Sequence, residues 1–171
     1  LNYIEREGID DLFVEALDYI KHLVLYGSSK QGKTSLRKHT LNPEKYISIH
    51  CSNRWDITQV NAQILKQAGF ELTIASTKTF EGKAKTKASF TLFSNLETGG
   101  EIEEGETESK RLEPLELDLS DVNEIISALN QVNFEKYIVL EDFHYLKEDT
   151  QQDFAIQLKA FHENSDFTFV I

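Results

Sequence analysis

The sequence predicts an α/β fold: a parallel sheet in three layers, with helices on both faces. Three observations predict it. Short apolar runs alternate with amphipathic helical stretches. The alternation reads β-α-β-α, is interrupted, and resumes as α-β-α-β, and its runs are apolar on successive residues, as in strands buried on both sides. The chain has 171 residues and is 40% hydrophobic, the size of one ordinary domain with its own core.

Each element follows from spacing and punctuation. A first helix is expected over 10–20, where Leu12, Phe13, Ala16, Leu17 and Ile20 recur at helical spacing. The run 22–26 (His-Leu-Val-Leu-Tyr) is too short for a helix, is rich in strand formers, and stops at Gly27. A polar loop and a helix over about 33–39 follow, ended by Asn42-Pro43. Residues 46–51 read as a second strand. A helix over 57–68 has Asp56 as its N-cap and Ile57, Val60, Ile64, Leu65 and Ala68 on one face. Another helix runs from 121 to about 132, opened by Asp121 and Glu124 as a capping-box pair. A third strand at 135–140, a helix at 150–162 and a fourth strand at 167–171 complete the pattern. No internal repeat of fixed period is present.

The interruption at 71–119 is expected to be a β-rich charged insertion into a single domain spanning 1–171. Residues 83–93 alternate in period two, with lysines on one side and Ala, Thr and Phe on the other. Residues 78–90 hold four lysines and one glutamate, whereas 97–118 hold nine acidic and two basic residues. The opposite charges suggest a hairpin between these two pieces, with lysines facing carboxylates across the strands. A solvated loop at 98–110 is the alternative for its tip.

Composition excludes several classes. The net charge of −11 argues against a general binder of nucleic-acid backbones. No run approaches the ~18 apolar residues of a membrane span, so no membrane partner is expected. The single cysteine, Cys51, makes an internal disulfide impossible and fits a reducing, cytoplasmic location. With no Met and an apolar run at its end, the sequence reads as an excerpt of a longer chain.

The chemistry-bearing segment is Gly27-Ser-Ser-Lys-Gln-Gly-Lys-Thr34, which fits G-x-x-x-x-G-K-[ST], the Walker A phosphate-binding loop. In such a loop the backbone N–H groups of Gly27, Ser28, Ser29, Lys30, Gln31, Gly32 and Ser35 surround phosphate oxygens. The Lys33 ammonium meets the β- and γ-phosphates, and the Thr34 hydroxyl ligates Mg²⁺. The following helix points its positive end at the anion. A strand before the loop and a helix after it are the context the motif requires. A magnesium-facing carboxylate is expected at the end of a later strand, and Tyr137-Ile-Val-Leu-Glu-Asp142 supplies Glu141 and Asp142. This resembles Walker B, with Glu-Asp in place of the usual Asp-Asp or Asp-Glu. By position Glu141 supports the metal and Asp142 orients the attacking water; the exchanged lengths of the two side chains suggest slow hydrolysis. A strand-terminal acidic pair that caps the next turn is the alternative.

With strand 46–51 between the loop and the acidic pair, the chain order resembles the AAA+ and related (ASCE) division of P-loop NTPases. More narrowly the chain looks like the nucleotide-binding core of AAA+/STAND signal-transducing ATPases. Tyr3-Ile-Glu-Arg-Glu7 followed by Asp11-Leu12 is similar to the F-x-G-R-E…L opening of that family, where Tyr3, Ile4 and Arg6 match and Glu5 replaces Gly. The resemblance covers 1–70 and 120–171. It implies ATP and Mg²⁺ as cofactors, and Tyr3, Ile4 and Arg6 beside the adenine. Lys33, Glu141 and Asp142 are implied as catalytic, and Thr34 and Glu141 as metal ligands. It further implies a nucleotide switch in a larger signalling or defence protein, with other domains of the same chain, and other subunits of a homo-oligomer, as partners. A non-hydrolysing nucleotide-binding interaction module and an AAA+ machine acting on DNA or protein are the alternatives.

Other polar residues receive structural readings. Asn53-Arg-Trp-Asp56 is a turn and helix cap, with Trp55 packing where strand meets helix. His144 could face a γ-phosphate or a partner, but a packed or surface role is the default. His22, His39, His50 and His162 lack metal-ligand spacing. Arg37 and Lys38 read as ordinary helix residues unless the site of another subunit meets them.

Overall fold

The computed structural model describes residues 4, 8–19, 22–28, 31–80, 83–92 and 115–171, the side chains of 73–87 and 92 excepted. The elements in chain order are α1 (Ile9–Leu17), α2 (Lys33–Thr40), β1 (Tyr46–His50), α3 (Ile57–Gln67), β2 (Phe70–Phe80) and β3 (Lys83–Leu92). They continue with β4 (Leu115–Asp118), α4 (Val122–Gln131), β5 (Tyr137–Glu141), α5 (Glu148–Asn164) and β6 (Phe169–Val170). The fold is mixed α/β, built on a parallel sheet and a small antiparallel one.

The parallel sheet has the order β1-β5-β6, with Tyr46 opposite Tyr137, His50 opposite Glu141, and Val139 opposite Val170. The apolar run 22–26 is not a full strand. Leu23 forms a single parallel bridge with Val170. The backbone N–H groups of Leu23 and Leu25 donate to Phe169 and Ile171, and Ile171 donates back to Leu23. This extended segment therefore lies along the free edge of β6. In space the order is segment 22–25, β6, β5, β1, so the last strand in the sequence sits between the first extended segment and β5.

Side-chain alternation along the strands sends residues to two separate cores. Val139 and Val170 face Phe13 of α1 and Leu36 of α2, with Leu41, Leu23 and Leu25 around them. Ile138, Leu140, Phe169, Ile47 and Ile49 face the other way, into the larger core of α3, α4 and α5. Helices thus cover both faces. Phe154, Phe161 and Phe169 are fully buried there and meet ring to ring, with centroids 4.8–5.5 Å apart. Offset and edge-on ring contacts of this kind add to the area they bury.

The insertion differs from expectation in its pairing. The expected contact between the lysine-rich and acidic pieces exists as β3 against β4, where Lys87 lies opposite Asp118. The longer partner of β3 is β2, antiparallel along its whole length, and this pair places Lys78 opposite Lys85. Residues 98–110 lie outside the described residues. The insertion shares the large core through Ala88, Phe90, Leu117 and Leu119.

Two helix starts show how local chemistry resolves. Asp56 caps α3 by accepting from Gln59 N–H, while Gln59 Oε1 accepts from Asp56 N–H, a reciprocal capping box. Asp121 caps α4 by accepting from Asn123 N–H. Glu124 does not close the expected box with it. Its carboxylate accepts instead from Asp118 N–H, at 2.5 Å, which ties the end of β4 to the helix. Trp55 packs against the large core, and its carbonyl accepts from the Thr150 hydroxyl.

Candidate functional site

Parallel strands converge their C-terminal ends on one edge of the sheet, where connecting loops leave room for ligands. A cleft of about 850 Å³ opens at that edge. Its walls are the end of segment 22–27, the first turn of α2 and the turn that follows β5. Lys33, Thr34, Glu141 and Asp142 all line it, 100 residues and more apart in sequence. A smaller cavity of about 560 Å³ lies at the opposite edge, and Lys33, Thr34, Glu141 and Asp142 are not among its lining residues.

Gly32 is the N-cap of α2, with φ 75° and ψ 21°. That left-handed conformation suits glycine, and it lets the chain turn from the loop directly into the helix. No acidic residue sits in the first turn of α2, while Arg37, Lys38 and His39 sit in its last. The start of α2 lines the cleft, and with no carboxylate in its first turn its positive end is uncompensated there. The Lys33 ammonium donates to the carbonyls of Gly27 (2.6 Å) and Ser28 (3.3 Å), so it curls back over its own loop. Ser28 and Gln31 are exposed, and Ser35 is half-buried.

Glu141 ends β5, opposite His50 on β1. Its two carboxylate oxygens are both engaged: one accepts from the Thr34 hydroxyl at 3.2 Å, the other from the Arg37 guanidinium at 2.5 Å. Asp142 follows in the left-handed region, with φ 59°. An aspartate tolerates this conformation better than most residues, and its adoption turns the carboxylate out of the strand direction. Its Oδ2 stands 3.6 Å from His50 Nδ1, an ion pair when that histidine is protonated. His144 is exposed beside Tyr145.

Arg37 departs from its reading as an ordinary helix residue. It is 4% exposed, its guanidinium lies 4.6 Å from the centre of the Tyr46 ring, and it forms an ion pair with Glu141. Its Nε and Nη1 are buried without a hydrogen-bond partner. The sequence carried a signal for it: Thr34 and Arg37 are three residues apart on a helix and so share one face. Cys51 continues the β1–β5 ladder by donating its N–H to Glu141 O. Burial, aided by the Asp142 charge, pushes its thiol up to about 12.

Of the residues expected at the adenine, Tyr3 and Arg6 lie outside the described residues, and Ile4 is 82% exposed. Ser29 and Lys30 also lie outside them. Tyr26, at the cleft rim, is 93% exposed and was not singled out by the sequence.

The donor set fits a magnesium nucleotide. Thr34 and Glu141 offer hard oxygen ligands 3.2 Å apart. Among the described residues no group of three or more His, Cys, Asp or Glu side chains could hold a metal by itself. Magnesium commonly takes one or two protein oxygens and completes its shell with phosphates and water. Among the described residues no helix is long and apolar enough to cross a membrane. The chain matches no family model, no curated protein and no solved structure.

Proposed function

We propose that this chain is an ATP-binding domain of the P-loop type, within the ASCE/AAA+-like division and similar to the STAND ATPases. The observation that carries this reading is the Thr34–Glu141 hydrogen bond. It joins the last residue of a G-x-x-x-x-G-K-T segment to the strand-terminal carboxylate 107 residues later, inside one cleft. The strand order supports it as well: β6 lies between segment 22–25 and β5, and in the ASCE division a further strand separates the loop strand from the acidic strand in the sheet.

In this reading the N–H groups of the loop and the start of α2 bind the phosphates. Lys33 exchanges its two carbonyl partners for phosphate oxygens. Thr34 and Glu141 would hold Mg²⁺, which when bound would neutralise phosphate charge and polarise the terminal phosphoryl group. Asp142 orients water toward that group. Hydrolysis is slow, and the nucleotide acts as a switch within a larger multidomain signalling or defence protein in the cytoplasm. A non-hydrolysing binding module is the second reading, favoured by the full engagement of Glu141 with Thr34 and Arg37.

The test is a thermal-shift titration with ATP, ADP and GTP, with and without Mg²⁺, beside Lys33→Ala. Stabilisation by ATP that is lost in Lys33→Ala supports the site. A hundredfold excess over Kd stabilises by about 2.7 kcal/mol. No shift with any nucleotide contradicts it. Release of phosphate by the protein that binds ATP separates the switch from the non-hydrolysing module.

A further inference from the structure

Arg37 is the one feature of the cleft that nucleotide binding by the loop leaves unexplained. A loop lysine and a helix N-terminus already serve an anion, yet a second, buried cation stands behind them. Its ion pair is with Glu141, the residue assigned to the metal. Arginine cannot lose its proton within the range in which proteins fold, so the charge is permanent. Burial of the pair, with side chains 5% and 14% exposed, limits how far water screens it.

Resting on the nucleotide reading above, we infer that Arg37 is a positioning residue that sets the metal dependence of the site: it neutralises Glu141, so that the nucleotide phosphates rather than the protein draw in the divalent cation. The carboxylate is held in place by Thr34 on one oxygen and Arg37 on the other. A cation approaching it meets a carboxylate and guanidinium whose charges sum to zero. The guanidinium charge beside the carboxylate opposes a metal ion there by coulombic repulsion. The Tyr46 ring beneath the guanidinium holds Arg37 in this place, since the two remaining buried nitrogens have no hydrogen-bond partner.

The experiment measures the ATP affinity of the whole chain by isothermal titration, with Mg²⁺ and with EDTA, for the wild type and Arg37→Met. The expected result is a weak dependence in the wild type, with the two affinities within about threefold. In Arg37→Met, Mg²⁺ strengthens ATP binding by about tenfold or more. Mn²⁺ alone, followed by electron paramagnetic resonance, is expected to bind Arg37→Met more tightly than the wild type. ATP binding with the same metal dependence in both proteins overturns the inference and leaves the nucleotide reading standing. Absence of ATP binding in the wild type overturns both. If Arg37→Met fails to fold, Glu141→Gln decides the matter: it leaves Arg37 unneutralised, and ATP binding in EDTA is expected to strengthen about tenfold. An unchanged affinity in EDTA overturns the inference.

Discussion

The Thr34 hydroxyl and the Glu141 carboxylate stand 3.2 Å apart, one on the first turn of α2 and the other at the end of β5. Neither element could place the two groups together alone. Their meeting depends on α2 lying over one face of the sheet, through Leu36 and Val139, and on β5 running parallel to β1. Arg37 completes the group from the same helix face.

Removing the Glu141 carboxylate leaves the Arg37 charge buried and unpaired. Breaking one side of a buried pair commonly costs about 3–5 kcal/mol. Glu141→Ala is therefore expected to lower stability by about 2–4 kcal/mol in urea unfolding, since the cleft admits some water to the site. The double variant Arg37→Met/Glu141→Ala is expected to recover part of that loss. Equal losses in the single and double variants contradict the pairing.

Gly32→Ala tests the backbone of the loop. Among the described residues an added Cβ meets nothing within 4 Å, so the cost expected is conformational. At φ 75° an alanine is expected to destabilise by about 1–2 kcal/mol. The shift is read as a lower thermal midpoint. A neutral effect indicates that the loop adopts another conformation.

His22 gives the fold a pH dependence. Its Nε2 donates to Leu158 O at 2.9 Å, and its Nδ1 accepts from Phe169 N–H at 3.4 Å, an arrangement only the neutral ring can make. Burial, chiefly, holds its pKa below the ordinary 6.5, and nearby His162 acts in the same direction. The unfolded chain therefore binds the proton more readily than the folded one. The contribution of His22 is fully present above about pH 6.5 and is lost as the pH falls through the lowered folded value. Thermal midpoints of His22→Gln against pH are expected to show a flatter profile than the wild type between about pH 5 and 7. Parallel profiles contradict this assignment.

Cys51 is expected to resist Ellman's reagent at pH 8 in the folded protein. With its thiol pushed up to about 12 and its side chain buried, little thiolate exists to attack. Full reaction is expected after denaturation. Rapid native reaction contradicts the burial.

Phe90→Ala tests whether the insertion belongs to the domain. Phe90 is fully buried, 6.3 Å from the Phe70 ring, within the core formed by α3 and α4. The expected loss is about 3–5 kcal/mol in one cooperative unfolding transition. A separate, earlier transition for the insertion contradicts a shared core.

Much of the architecture was legible because its signals are local. Asp56 was expected as the N-cap of α3 and takes that place, because its carboxylate needs only a backbone N–H three residues on. Gly27, Gly32, Lys33 and Thr34 lie within eight residues, and apolar runs end at punctuating residues. Signals that look local can still mislead. Glu124 has the spacing to close a box with Asp121, yet the N–H of Asp118 lies in better reach of its carboxylate. The 22–26 run has strand composition, and among the described residues it forms one bridge and three backbone bonds beside β6, a strand of two residues.

By itself the sequence determined the alternation of strands and helices, the loop at 27–34 and the strand-terminal acidic pair. These follow from side-chain periodicity and backbone preferences that act over a few residues. The tertiary structure alone decided that β6 lies between segment 22–25 and β5, that β2 rather than the acidic stretch is the long partner of β3, and that Arg37 is buried against Glu141. Each of those depends on backbone hydrogen bonds, burial or ion pairing between groups far apart in the chain, for which neighbouring residues carry no period or spacing.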